Sequence, residues 1–98
     1  MKKGYNSKIG GNPLYIHLGG NAIVSSRDLL YIFDVKAFHQ SKVNRELLRK
    51  MEAAGRVVTL EKGKSRSVIF IKRKNQPITI YYSPITAFTL LRRRNQYK

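Results

Sequence analysis

One segment of this chain has apolar residues at helical spacing, and it constrains the fold class more than any other feature. Val43, Leu47, Met51 and Ala54 recur at i, i+4, i+8 and i+11, with Leu48 beside them, which is typical of an amphipathic helix that packs on a sheet. Ser41 is a suitable N-cap, and Gly55 is suited to the position just after the helix. The other apolar runs are short and bounded by turn residues, as strands are. We therefore predict an α+β fold with one main helix.

The predicted sheet is small and mostly antiparallel. Its strands are 14–18, 22–25 and 29–33 before the helix, and 56–61, 67–71 and 78–82 after it. Gly19-Gly20-Asn21 forms the first turn, because these residues tolerate positive φ. The last three strands are predicted to form a meander, with 62–66 as a hairpin loop and 72–76 at the opposite end of the sheet. Ser83-Pro84 is suited to start a short C-terminal helix that ends in the arginine run at 92–94.

The length of 98 residues is that of one domain, which we place at 14–94, followed by a tail at 95–98. The first thirteen residues contain Gly, Pro and Lys without periodicity, so we expect a flexible extension. One hypothesis is that this extension is not native. Leu14 can be encoded by TTG, a bacterial start codon, and Gly10-Gly11 can be the translation of a ribosome-binding sequence.

Few residues of the chain are suited to catalysis. It has no Cys, two His and five carboxylates, and none of these has the spacing of a known catalytic or metal site. His39 lies in a polar linker, where we expect an exposed ring. We therefore expect no enzymatic activity, metal ion, cofactor or small-molecule substrate. No apolar run approaches the ~20 residues of a membrane span, and no signal peptide is recognisable, so we expect a cytoplasmic protein.

The charge of the chain indicates a polyanionic partner. Twenty Lys and Arg against five Asp and Glu give a net charge of +15, and residues 56–98 contain Glu61 as their only acid. A surface charged only for solubility usually balances Lys with Glu. The leading candidates for phosphate contacts are Lys62, Lys64 and Arg66, followed by Arg27, Lys72, Arg73 and Lys74, with Arg92, Arg93 and Arg94 as a flexible second contact.

The same basic segments contain few aromatic residues, so stacking on single-stranded bases is disfavoured. Contacts with the phosphates of double-stranded DNA are the favoured interpretation. Two alternatives stay open at this point. One is a small RNA-binding or ribosome-associated protein, and the other is a protein-interaction subunit whose charge meets an acidic partner or a membrane surface.

Four ordered motifs resemble the bacterial extracellular matrix regulatory protein family (RemA/RemB-like), and the first and last are closest to its RemB branch. They are YIHLGG at 15–20, IFD at 32–34, KSRSV at 64–68 and IYYSPI at 80–85, followed by Thr89-Leu90. The resemblance implies a DNA-binding transcriptional regulator of biofilm-matrix genes, associated with the nucleoid. It also implies assembly into a ring of identical subunits with a basic surface along the DNA backbone.

The resemblance also implies positions for DNA contacts. In the RemA branch a basic pair before a strand is important for DNA binding, and here it falls on Gly63 and Lys64, with Arg66 matching the arginine that follows. A second basic position of that branch falls on Asp28, beside Arg27. Self-association has independent support, because strands 29–33 and 67–71 are apolar on both faces and two helices are too few to cover them.

Overall fold

The computed structural model of the chain describes residues 14–95, so the predicted extension at 1–13 lies outside it. The elements are β1 (Tyr15–Gly19), β2 (Ala22–Ser25), a 3-10 turn (Ser26–Asp28), β3 (Leu29–Asp34), α1 (Val35–His39), α2 (Lys42–Ala53), β4 (Val57–Thr59), β5 (Ser67–Ile71), β6 (Thr79–Ser83) and α3 (Ala87–Arg94). The predicted α+β class, with one longer helix and a short C-terminal helix, is confirmed.

The strands form two sheets. β1 and β2 make an antiparallel hairpin whose turn has Gly19 and Gly20 at φ of +114° and +56°, which confirms the predicted glycine turn. The other four strands form one sheet in the order β3-β5-β6-β4. Its β3–β5 and β5–β6 pairs are antiparallel, whereas β6 and β4 are parallel. The sheet is therefore mostly antiparallel, as predicted.

The predicted meander of the last three strands is wrong. β4 pairs in parallel with β6, through Val57 with Ile80 and Thr59 with Tyr82, and does not contact β5 as a ladder partner. Segment 60–66 is therefore a crossover that passes the end of β6, and not a hairpin loop. The physical reason is that β3, with six residues, pairs along the whole of one side of β5, and β6 pairs with its other side. The three residues of β4 can therefore pair only with the outer side of β6.

The C-terminal helix does not begin at Ser83-Pro84, as predicted. α3 begins after Thr86, whose hydroxyl accepts a hydrogen bond from the helix, and it ends in the arginine run as predicted. Ser83 is the fully buried last residue of β6. Its hydroxyl donates to the carbonyl of Leu18 and accepts from the N–H of Ile85, so it joins β1 to the segment that leads into α3.

Two apolar layers cover the four-stranded sheet. The β1–β2 hairpin and α3 enclose one cluster, which contains Ile16, Leu18, Val24, Leu29, Ile69, Ile71 and Leu90. α1 and α2 enclose the other, which contains Phe38, Leu48, Val68 and Ile80. The predicted inward face of α2 is confirmed at Leu48, which is buried, and at Met51, which packs against the same cluster. It is wrong at Val43, which is 73% exposed, because the helix packs on the sheet through the Leu48 side of that face.

Residues 35–39, predicted as a polar linker, form the short helix α1. Its N-cap is Asp34, which accepts a hydrogen bond from the N–H of Ala37 at 3.0 Å. His39 at its end is half-buried and not an exposed ring, because its Nε2 lies 2.8 Å from the hydroxyl of Tyr82. Burial, with a smaller contribution from the charge of Glu52, raises the pKa of Tyr82 above its usual 10.0.

Two other kinds of site are absent from residues 14–95. No helix in this range is long and apolar enough to cross a membrane. No three or more acidic, His or Cys side chains in the same range converge to hold a metal ion.

Candidate nucleic-acid interface

The predicted phosphate contacts lie at two opposite ends of the four-stranded sheet. Lys62, Lys64 and Arg66 precede β5, whereas Lys72–Lys74 follow it. Arg27 is near the second group, because the backbone N–H of Lys72 donates to the carbonyl of its neighbour Asp28 at 2.8 Å. We call the first group and the residues packed against it the crossover end, and the second group the far end.

Backbone hydrogen bonds on both sides hold Arg66 in place at the crossover end. Its N–H donates to the carbonyl of Ser83 at 2.7 Å, and its carbonyl accepts from the N–H of Val35 at 3.0 Å. The buried hydroxyl of Ser67 next to it donates to the carbonyl of Ile85 at 2.7 Å. The Arg66 side chain is exposed, and within residues 14–95 its guanidinium has no hydrogen-bond or ion-pair partner. A fixed backbone therefore presents a guanidinium whose donors remain available.

Lys64 makes the single ion pair within the described part of the chain, with Glu61 at 3.6 Å. Both side chains are largely exposed, so the pair contributes about 0–1 kcal/mol and a phosphate can replace the carboxylate. Gly63 at the loop tip has φ of +79°, and no atom lies within 4 Å of where a Cβ would be. The tip of the crossover is thus open to a ligand.

Two shallow hollows lie on either side of Arg66. The loop hollow, about 480 Å³, is lined by Glu61, Gly63, Lys64, Ser65, Arg66 and Pro84. The helix hollow, about 400 Å³, is lined by Asp34, Val35, Lys36, Ser65, Arg66 and Thr86. Arg66 and Ser65 line both, and neither hollow has an aromatic wall. Each hollow has two cations and one carboxylate, which is Glu61 in the loop hollow and Asp34 in the helix hollow. The crossover end therefore offers an anion an excess of cations together with hydroxyls, and no ring on which a base could stack.

The far end is organised by Arg56, a residue that the sequence analysis did not single out. Its guanidinium donates to the carbonyl of Pro77 and the hydroxyl of Thr79, both at 2.7 Å, and to the carbonyl of Ile78 at 3.2 Å. Arg56 therefore fixes the start of β6. Of the three predicted contacts at 72–74, the middle one, Arg73, is half-buried and the two lysines are exposed.

The predicted flexible contact at 92–94 is helical, since the three arginines form the last turn of α3. Arg93 donates to the carbonyl of His17 at 2.9 Å and so ties α3 to β1. The guanidinium carbon of Arg92 lies 5.7 Å from the ring centre of Phe88, a cation–π distance. Nucleic-acid contact by this run stays a prediction, but the run also has a structural role.

An exposed aromatic patch, which we call the edge patch, lies along β3 and consists of Tyr31, Phe33 and the half-buried Phe70 of β5. Tyr31 is 57% exposed and Phe33 37% exposed. The rings of Tyr31, Phe33 and Phe70 lie 5.7–6.0 Å apart between centroids. β3 is an edge strand that pairs with β5 alone within the described sheet. One apolar face of the sheet therefore remains incompletely covered.

The first and last of the four motifs noted in the sequence meet at the crossover end. A Cβ on Gly19 would lie 2.8 Å from two ring carbons of Pro84, so only glycine fits there without a shift. The hydroxyl of Ser83 donates to the carbonyl of Leu18 beside this contact. These motifs fix the scaffold behind the basic crossover, and the cations lie on its outside.

The sequence of the chain is similar to that of a known bacterial protein. No family model matches the chain. The chain is 38% identical over 80 residues to the extracellular matrix regulatory protein B of Bacillus subtilis (strain 168). The alignment covers 82% of this chain and 89% of that protein, so the similarity extends over most of both chains.

Proposed function

The chain belongs to the extracellular matrix regulatory protein family (RemA/RemB-like), in its RemB branch, and on this premise we propose that it regulates matrix genes by binding double-stranded DNA. The name of the Bacillus subtilis relative describes regulation of the extracellular matrix. The proposal places the protein in the cytoplasm on the nucleoid, as a transcriptional regulator that performs no catalysis. It assigns the phosphate contacts to the basic residues of the crossover end first.

The observation that carries the proposal is the excess of positive charge at the crossover end. Lys62, Lys64 and Arg66 lie within five residues, and Glu61, which pairs with Lys64, is the only acidic residue between positions 56 and 98. Asp34 adds a second carboxylate at this end, but Arg66 makes no ion pair within residues 14–95. Such like charges repel one another unless an anion lies between them. A duplex supplies phosphates at regular spacing, and cations that neutralise them release condensed counterions, which favours binding.

The walls of the two hollows favour a duplex over a single strand. Binding of unpaired bases relies on aromatic side chains, and neither hollow has one. Lysine, arginine and hydroxyl groups, which both hollows provide, are the groups that contact phosphates in protein–DNA complexes. Structured RNA offers the same phosphate chemistry, so competition between a duplex and structured RNA at equal salt distinguishes the two partners.

The proposal includes self-association into a ring. A closed ring requires two different complementary surfaces on each subunit. The edge patch is one apolar surface, and α2 offers a second through the exposed Val43 and Leu47. In such a ring the crossover ends of successive subunits form a continuous basic surface. A single subunit cannot provide this surface, because its cations lie at opposite ends of one sheet.

The test is the salt dependence of binding to a duplex. Each neutralised phosphate contributes about −0.9 to the slope of log K against log salt. Replacing both Lys64 and Arg66 by Ala should make the slope less steep by roughly two for each engaged subunit. The matched control replaces Lys42 and Arg49 on α2 by Ala, which removes the same charge outside both hollows and off the face that carries Val43 and Leu47. If the Lys64/Arg66 variant keeps the wild-type slope, the crossover end does not bind the phosphates.

A further inference from the structure

Lys36 is a cation that belongs to no basic run of the sequence, yet it lines the helix hollow opposite Arg66. It is exposed on α1, and within residues 14–95 it makes no ion pair. Hydrogen bonding between the N–H of Val35 and the carbonyl of Arg66, at 3.0 Å, holds the start of α1 against the start of β5. Two elements distant in sequence therefore place Lys36 and Arg66 around one hollow.

We propose that the helix hollow is a second phosphate-binding position, in which Lys36 and Arg66 bind one phosphodiester while Lys64 and Arg66 bind another in the loop hollow. The proposal rests on the proposed function and deepens it. It adds Lys36 to the interface, and it makes Arg66 the residue shared by two phosphates of the bound nucleic acid.

The shared role is within the chemistry of an arginine. A guanidinium has five N–H donors in a planar fork, so it can donate to anions on two sides at once, which an ammonium does less well. Arg66 lines both hollows, and its backbone is fixed by the bonds to Ser83 and Val35. Ser65, which is half-buried, also lines both hollows and adds a hydroxyl to each.

The rest of the helix hollow also favours an anion, with one exception. Thr86, the N-cap of α3, lines it, so the N-terminus of that helix, with its partial positive charge, lies beside the hollow. The exception is Asp34, the one carboxylate among the residues that line the hollow. Its Oδ2 accepts from the N–H of Ala37 at 3.0 Å, so it is held as the cap of α1. Asp34 would repel a phosphate in this hollow, and Lys36 would attract it.

Because Lys36 and Asp34 have opposite charges, neutralising each of them should change the affinity for a duplex in opposite directions. The full-length chain is titrated with a short duplex over a range of salt concentrations, as wild type, Lys36→Gln and Asp34→Asn. Lys36→Gln should make the slope less steep by about 0.9 for each engaged subunit. Asp34→Asn should tighten binding roughly twofold to fivefold at low salt, since Asn caps a helix as well as Asp and removes the repulsion. Arg49→Gln is the control, because Arg49 is exposed on α2, lines neither hollow and lies about 120° around the helix from Val43. It should change neither quantity.

The outcomes separate this inference from the function on which it rests. If Lys36→Gln keeps the wild-type slope while the Lys64/Arg66 variant changes it, the helix hollow binds no phosphate and the proposed function stands. If Asp34→Asn weakens binding while thermal unfolding is unchanged, the helix hollow is likewise excluded. If the wild type itself fails to bind the duplex in dilute buffer, the proposed function fails.

Discussion

Replacement of Ser83 by Ala tests how the scaffold behind the basic crossover is held together. The substitution removes two hydrogen bonds, one donated to the carbonyl of Leu18 and one accepted from the N–H of Ile85 at 3.0 Å. Ser83 is fully buried, so water cannot replace the lost partner. Each lost bond costs about 0.5–1.5 kcal/mol, and the abandoned groups add to this, so we expect a loss of about 2–4 kcal/mol. In a domain of this size, that lowers the unfolding midpoint by roughly 10–25 °C.

Two other serines of the same end serve as matched comparisons. Ser67 donates a single buried hydrogen bond, to the carbonyl of Ile85, so Ser67→Ala should cost about 1–2 kcal/mol. Ser65 is half-buried and its hydroxyl has no partner among residues 14–95, so Ser65→Ala should stay within about 0.5 kcal/mol. The assay is urea unfolding of the three variants at one protein concentration. If Ser83→Ala unfolds at the same urea concentration as Ser65→Ala, the buried hydrogen bonds of Ser83 do not stabilise the fold.

Two further predictions concern the scaffold. Gly19→Ala should destabilise the fold by about 3 kcal/mol or more, because φ is +114° and the new Cβ would lie 2.8 Å from Pro84. Gly63→Ala, at φ of +79° in open space, should cost about 1–2 kcal/mol. Equal midpoints of the two variants in thermal unfolding would contradict the close approach of Gly19 and Pro84. The raised pKa of Tyr82 means that the folded chain keeps a proton that the unfolded chain loses, so this residue makes the free energy of unfolding fall as pH rises above about 10. Tyr82→Phe should remove that contribution. The measurement is the free energy of unfolding in urea of wild type and variant between pH 8 and 11, and the same dependence on pH in both proteins would contradict the prediction.

Local signals in the sequence predicted the elements that depend on local chemistry. The helix after Ser41 follows from a cap and a periodic apolar face, and the turn at Gly19 follows from the tolerance of glycine for positive φ. The choice of partner for β4 does not follow from local signals. That choice depends on β3, which pairs along the whole of β5. Since this side of β5 is occupied, β4 pairs with the outer side of β6.

Tertiary contacts also decided the roles of single polar residues. Ser83 before a proline has the pattern of a helix cap, but its burial beside Leu18 gives its hydroxyl a tertiary role. The excess of positive charge at the crossover end was visible in composition alone. The contribution of Lys36 was not, because it lies on another element and is brought to Arg66 only by the pairing of α1 with the start of β5.

Native mass spectrometry of the full chain, alone and with a short duplex at low ionic strength, shows directly whether several assembled subunits bind DNA together. We expect a complex of several subunits without DNA, and the same complex carrying the duplex when DNA is added. Raising the salt concentration should release the duplex and leave the subunits together, since phosphate contacts are screened more strongly than apolar ones. A lone subunit under all conditions, or an assembly that ignores the duplex in dilute buffer, would contradict this expectation.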